Sequence, residues 1–224
     1  MREQNLIKQY EKYYKRNFNN KLYPSEYLVR VFLSAKNKKK FGFKKYKDFK
    51  ILDLSFGDGR NLQFFHDLGF KVFGTEISKK IINYSRKKKF KLNVGKANLL
   101  PYDNGFFDYI VASNSCYYLD ENFTFKDNLN EISRVLKKNG FFVGNVPHIS
   151  NYYLKYSIQL DKNEYLIKND YLKIRNNYAI AAFENKFDLK NILKKNFKNI
   201  KTGMLDNDYF GVEEKMFLFV STKK

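Results

Sequence analysis

Apolar residues recur at helical spacing in the first part of the chain. Leu6, Ile7, Tyr10 and Tyr14 share one face. After Pro24 a second run brings Leu28, Val31, Phe32 and Ala35 together, with Ser25 as the expected N-cap. A basic loop then leads to Ile51-Leu52-Asp53-Leu54, a short apolar run that predicts a buried strand. From there the pattern alternates. Residues 61–68 predict a helix closed by Gly69, 71–74 a strand, 79–89 a helix and 90–94 a third strand. Residues 107–112 predict a central fourth strand, because Tyr109, Ile110 and Val111 suit burial. Leu129, Ile132, Ser133 and Leu136 mark a helical face ended by Asn139-Gly140, and 141–146 a fifth strand.

Strands and helices in this order predict an α/β fold with right-handed parallel crossovers. Residues 150–184 are rich in Tyr and Asn without a clear repeat. Leu189, Ile192, Leu193 and Phe197 mark a further helical face, and 215–221 a last apolar strand. No internal repeat or flexible linker divides the chain. One domain is expected. Residues 1–47 would be an N-terminal helical cap, 48–147 the core, 150–184 an insertion, and 185–224 the C-terminal helix and strands.

Composition narrows the functional classes. In 224 residues, 43% are hydrophobic and 18% aromatic, enough for a substantial core and too many for a disordered chain. The net charge of +20 favours anionic partners: nucleic acid, phosphorylated metabolites, acidic glycans or an anionic membrane. The lysines are scattered, however, and only Lys38, Lys39, Lys40, Lys44 and Lys45, and the smaller group Lys87, Lys88 and Lys89, cluster. With abundant Asn and Ile and no Trp, that spread looks like codon bias rather than a binding patch. Cys116 is the single cysteine, and with two histidines it gives no zinc-site spacing. The polar N-terminus and the lack of an apolar run near ~20 residues predict a soluble cytoplasmic protein, with no metal and no membrane partner.

The most informative stretch is Asp53-Leu54-Ser55-Phe56-Gly57-Asp58-Gly59-Arg60-Asn61-Leu62, a strand running into a tight turn that opens a helix. Gly57 and Gly59 allow positive φ and close approach of a ligand. The helix start beyond offers free amides. Glu76 ends the next strand, where a carboxylate can accept both hydroxyls of a ribose. A dinucleotide fingerprint would need a third small residue, but Leu62 fills that position.

With two further segments, this constellation resembles the class I S-adenosylmethionine-dependent methyltransferases over roughly residues 48–147. Ala97-Asn98-Leu99-Leu100-Pro101-Tyr102-Asp103-Asn104-Gly105-Phe106-Phe107-Asp108 is similar to the passage preceding that family's fourth strand. Glu131-Ile132-Ser133-Arg134-Val135-Leu136-Lys137-Lys138-Asn139-Gly140 is similar to its E-I-x-R-V-L-K-P-G-G helix and turn. The resemblance implies a Rossmann-like, mostly parallel sheet of seven strands, the last antiparallel, with helices on both faces. It also implies S-adenosylmethionine as cofactor and S-adenosylhomocysteine as product.

Carried over residue by residue, the resemblance assigns cofactor binding to Asp53, Ser55, Gly57, Gly59, Asn61, Glu76 and Ile77, with Ile77 packing on the adenine. Ser55 stands where the family has its first glycine. Lys96 stands where an adenine-contacting Asp is common, leaving that contact to Asn98 or to the backbone of Ala97 and Leu99. Asn114 is expected to contact the cofactor or orient the acceptor. A helix before the first strand covers the cofactor in related enzymes, which assigns Arg30 to the methionine carboxylate and Tyr23 to closing the site.

The acceptor side lies beyond the fourth and fifth strands. There Tyr117 and Tyr118 are candidates for the substrate pocket, and His148 for a catalytic base able to titrate near neutrality. His66, in a Phe-rich helix, reads as structural, and Cys116 as a buried thiol rather than a nucleophile. The YPSE, NSCYY and VPH segments resemble small bacterial methyltransferases of surface-polysaccharide biosynthesis. A small-molecule or glycan-precursor acceptor, anionic to suit the charge, is therefore expected. RNA or tRNA methylation is the alternative that the charge favours, though no base-methylation motif is present. A non-catalytic SAM-fold binding protein is a third. A monomer or a homodimer is expected.

Overall fold

The computed structural model describes residues 2–17, 23–43, 46–85 and 89–224. Three helices come first: α1 (Arg2–Asn17), α2 (Glu26–Leu33) and α3 (Ala35–Phe41). The alternating part follows as β1 (Lys50–Leu54), α4 (Arg60–Asp67), β2 (Lys71–Glu76), α5 (Lys79–Tyr84), β3 (Lys91–Val94) and β4 (Phe107–Ala112). Next come β5 (Tyr118–Leu119), α6 (Phe125–Val135) and β6 (Leu136–Pro147). The remainder is β7 (Ile158–Asp161), β8 (Glu164–Leu166), β9 (Ala179–Ala181), α7 (Lys186–Leu193), β10 (Phe197–Asp208) and β11 (Glu213–Lys223).

The main sheet has seven strands in the order β3-β2-β1-β4-β6-β11-β10. β1, β2, β3, β4 and β6 pair in parallel, and β11, the last strand of the chain, runs antiparallel between β6 and β10. Burial explains the apolar central strands. Along β4, Tyr109 and Val111 pack toward α2 and α4, while Phe107, Ile110 and Ala112 pack toward α6 and α7. The Tyr109 ring meets Phe43, Tyr46, Phe70 and Phe141 within one aromatic cluster.

Sequence and structure diverge at several boundaries. The second apolar run breaks at Ser34, which is extended and caps α3 by accepting the Asn37 amide, so Ala35 leaves the α2 face. Ser25 occupies the N-cap of α2, where its carbonyl accepts the Leu28 and Val29 amides but its side chain bonds no helix amide. Leu136 begins β6 instead of ending α6, and Asn139-Gly140 lies inside that strand, where its register on β4 slips. Phe197 begins β10, a twelve-residue strand that its charged pattern conceals. Lys44, Lys45, Lys87 and Lys88 lie outside the described residues.

Residues 150–184 hold more order than their composition suggests. β7, β8 and β9 join β5 in a second, antiparallel sheet of order β5-β9-β8-β7. Ala179 and Ile180 pair with Leu119 and Tyr118 on one side, and Ala179, Ile180 and Ala181 with Leu166, Tyr165 and Glu164 on the other. Among the described residues no helix is long and apolar enough to cross a membrane.

Candidate active site

The site begins where β1 ends. Ser55, Gly57 and Gly59 all adopt left-handed backbone, with φ of 54°, 61° and 79°. Ser55 thus takes the conformation that a glycine adopts without strain, at a cost of about 1–2 kcal/mol. The Phe56 amide bonds Thr75 O at 3.1 Å and ties the turn to β2. Glu76, at the end of β2, is buried. Its Oε1 accepts the Gly57 amide at 2.6 Å and its Oε2 the Ile77 amide at 3.0 Å. Burial outweighs these bonds and pushes its carboxyl up to about 7. Asp53 lies beneath the turn, 1% exposed, with Oδ2 lacking a hydrogen-bond partner among the described residues. Burial raises its pKa well above the carboxylate range, and the nearby charges of Glu76 and Asp58 add to that.

Three helices close this corner. Asn61, in the first turn of α4, accepts the Ser25 amide at 3.0 Å and so fixes the start of α2. α1 crosses above the glycine turn. Its Glu11 accepts from the Ser78 hydroxyl at the N-cap of α5 and from Lys80 Nζ at 3.2 Å. One turn on, Tyr14 rests on Gly57 so closely that a Cβ there would lie 2.4 Å from its hydroxyl.

The next wall comes from loops after β3, β4 and β5. Asn114, also left-handed at φ 58°, forms a reciprocal pair with buried Asn145 of β6, at 2.7 and 2.6 Å. Asn128 of α6 holds the carbonyls of Cys116 and Tyr118 at 2.9 and 2.8 Å. Asp120 gathers Asn98 Nδ2 at 3.0 Å, Lys96 Nζ at 3.4 Å and the Tyr178 hydroxyl. Glu131 and Arg134 brace the loop from outside. Glu131 accepts the Leu100 amide at 2.7 Å, and Arg134 donates to the carbonyls of Leu100 and Tyr102 at 3.0 and 2.8 Å. The α6 motif residues therefore hold the backbone at Leu100 and Tyr102, next along the chain from the wall residues Ala97 and Asn98.

The glycine turn, α1 and these loops enclose a cavity of about 240 Å³. Of the residues singled out by sequence, Ser55, Gly57, Asn61, Glu76, Ile77, Ala97, Asn98, Asn114 and Tyr118 line it. The others do not. Asp53 is buried below, and Gly59 caps α4. Leu99 is 73% exposed on the outer side of its loop. Tyr117 is packed behind Tyr118 in a parallel stack, with its hydroxyl 3.4 Å from Tyr153. Tyr23 is 72% exposed, and Arg30 forms an exposed ion pair with Glu26 of its own helix. The covering helix is α1 rather than α2.

His148 lies at the end of β6 outside the lining. Its ring packs on Phe217, and its Nδ1 takes the Ser150 amide at 3.0 Å. Burial first, and then the Lys215 charge, lower its pKa.

The structure adds Tyr10, Tyr13, Tyr14, Asp120, Asn128, Arg175 and Tyr178 to the lining. Tyr10 and Tyr14 are legible as a helical face but look like core, because helical spacing does not say what the face meets. Arg175, in an unpatterned segment, carries no sequence signal. Among the described residues no group of three His, Cys, Asp or Glu is arranged to hold a metal ion.

Residues 52–144 match the family model described as a methyltransferase domain. No curated protein matches the chain. Among solved structures, a Pyrococcus horikoshii protein is similar in fold at 20% identity and TM-score 0.63, covering 93% of this chain and 94% of that one. A SAM-dependent methyltransferase of Thermotoga maritima, a possible histamine N-methyltransferase, is similar at 21% identity and TM-score 0.60, covering 98% and 99%. The 1,6-didemethyltoxoflavin-N1-methyltransferase of Burkholderia thailandensis, with its substrate and S-adenosylhomocysteine bound, is similar at 14% identity and TM-score 0.58, covering 80% and 72%.

Residues 52–144 thus match a methyltransferase domain, and they supply the parallel core of the seven-stranded sheet.

Proposed function

We propose that the protein transfers the methyl group of S-adenosylmethionine to a small-molecule or glycan-precursor acceptor held in the same cavity. The observation that carries this reading is the continuity of the lining, from Gly57 and Glu76 at one end to Tyr118, Arg175 and Tyr178 at the other. α1 roofs it and the second sheet walls it, which favours a compact acceptor over a folded nucleic acid.

The residues at the β1–β2 end fit the donor. Glu76 accepts two amides and retains lone pairs facing the cavity, which suits the two hydroxyls of a ribose. The glycine turn leaves no room for a Cβ at Gly57. We assign the adenine to Ile77, Ala97 and Asn98, and the methionine portion to the Ser55–Gly57 backbone and Asn114. Asp53 and Gly59 support the turn from behind. When bound, the donor supplies an electrophilic methyl on a sulfonium.

The chain's own task is then to align the acceptor and exclude water. The Asn114–Asn145 pair fixes the loop at the end of β4, and α1 covers the cavity. The excess of +20 supports an anionic acceptor through long-range attraction. Within the lining, Arg60, Lys96 and Arg175 are matched by Asp58, Asp120 and the adjoining Asp170.

Methyl-labelled S-adenosylmethionine, offered with acidic metabolites, nucleotide-linked sugars and bulk tRNA, tests the assignment. Label in a small molecule is expected. Label confined to RNA would replace this reading with an RNA methyltransferase.

A further inference from the structure

The far end of the cavity holds donor capacity that the chain does not use. Tyr118 Oη accepts from Arg175 Nε at 2.9 Å and lies 2.5 Å from Tyr10 Oη. Two hydroxyls own two protons, and only one can lie between the two oxygens. Whichever tyrosine donates within the pair, the other keeps a proton for a further acceptor. Among the described residues neither hydroxyl has another hydrogen-bond partner. Arg175 has a similar surplus. Its Nε serves Tyr118 and its Nη1 meets both oxygens of Asp170 at 3.2 and 3.1 Å, while Nη2 bonds no described residue. Tyr10, Tyr118 and Arg175 all line the cavity.

This end is rigidly built. The Arg175 side chain is 11% exposed and that of Asp170 0%. Asp170 also accepts the amides of Leu172, Ile174 and Arg175, and the guanidinium lies over the Tyr153 ring at 4.7 Å. A guanidinium fixed in this way needs little reorganisation on binding, and unspent donors beside a cation complement an oxyanion.

Its distance from the glycine turn is one turn of α1. Tyr14 rests on Gly57, and the Tyr10 ring stacks 5.9 Å from that of Tyr14. Tyr118 and Arg175 come from the second-sheet side, away from the ends of β1 and β2.

We propose that Tyr10, Tyr118 and Arg175 form an oxyanion subsite that holds a carboxylate or phosphate of the methyl acceptor. The subsite fixes which end of the acceptor faces the glycine turn, and it rests on the acceptor-in-cavity reading above.

Two conservative variants test it. Tyr10→Phe combined with Tyr118→Phe removes both hydroxyls and leaves the Arg175–Asp170 pair intact. Arg175→Lys keeps a cation for Asp170 and removes Nη2. The full chain, saturated with S-adenosylhomocysteine, is titrated by NMR with inorganic phosphate and, separately, with acetate. One saturable site is expected, with the tighter of the two oxyanions identifying the group. It should weaken at least tenfold in both variants, while the Kd for S-adenosylhomocysteine changes less than threefold.

Oxyanion binding that is absent, or unchanged in both variants, would overturn the subsite. So would a parallel loss of S-adenosylhomocysteine affinity, which would give the donors to the cofactor's own carboxylate. A wild-type protein that fails to bind S-adenosylhomocysteine removes the underlying reading as well, and that failure is visible before any oxyanion is added.

Discussion

The Gly57 amide donates to Glu76 Oε1 at 2.6 Å, so the glycine turn and the acid at the end of the next strand are one hydrogen-bonded unit. That unit makes the site sensitive to pH. Burial raises the Glu76 carboxyl from its ordinary 4.5 to about 7, so the folded protein holds this proton more tightly than the unfolded chain. The associated stability is present below about 4.5 and is lost as pH rises to about 7, a change of roughly 3 kcal/mol at most. Asp53, also raised by burial, acts in the same direction. Ribose hydroxyls donate to the ionised carboxylate, so affinity for S-adenosylhomocysteine should rise with pH, approaching tenfold per pH unit well below about 7, and level off above it. Melting curves and calorimetric titrations between pH 5.5 and 8.5 check both trends. A flat affinity profile would mean that Glu76 does not meet a hydroxyl donor.

Gly57→Ala should destabilise the protein by about 1–3 kcal/mol, because φ is 61° and the new Cβ would lie 2.4 Å from the Tyr14 hydroxyl. Adding Tyr14→Phe removes the nearest atom and leaves ring carbon Cζ at 3.0 Å. The double variant should recover part of the loss in denaturant unfolding. Strict additivity would show that the α1 contact is not the source.

Much of this arrangement is legible in the amino-acid sequence. The strand–turn–helix at 51–62, the acid at 76 and the alternation through β4 follow from periodicity and glycine chemistry, because parallel central strands are buried on both faces. The elements that do not show in the pattern are those whose stability comes from distant partners. β10 exposes alternate charged residues along its length, so its pattern carries little apolar signal. β7, β8 and β9 are three or four residues long and exist through pairing with one another and with β5. The site follows the same rule. Residues in the glycine turn are marked by their spacing, whereas Arg175 and Tyr10 reach the cavity only because the second sheet and α1 close on it.

Glu11 anchors α1 through the Ser78 hydroxyl and Lys80. Glu11→Ala should free one end of the roof and raise the dissociation rate of S-adenosylhomocysteine about three- to tenfold, with global stability lowered by about 1 kcal/mol. Stopped-flow release and a melting curve separate the two effects. A rate that stays at the wild-type value would remove α1 as a cover.

His148 lies outside the cavity lining, bonded to Ser150 and packed on Phe217. His148→Ala should therefore leave methyl transfer within about threefold of wild type on any acceptor found by the label screen. Removal of a general base would instead cost about 100-fold or more. An initial-rate comparison decides, and the larger loss would restore His148 to the chemistry.

The most direct test is calorimetric titration of the wild-type protein and Glu76→Ala with S-adenosylhomocysteine at pH 7.5. Saturable one-to-one binding is predicted for the wild type, weakened roughly 10- to 100-fold in the variant as hydrogen bonds to a charged group are lost. A folded wild-type protein that shows no binding, or a variant that binds as tightly, would contradict the assignment of this cavity to the methyl donor.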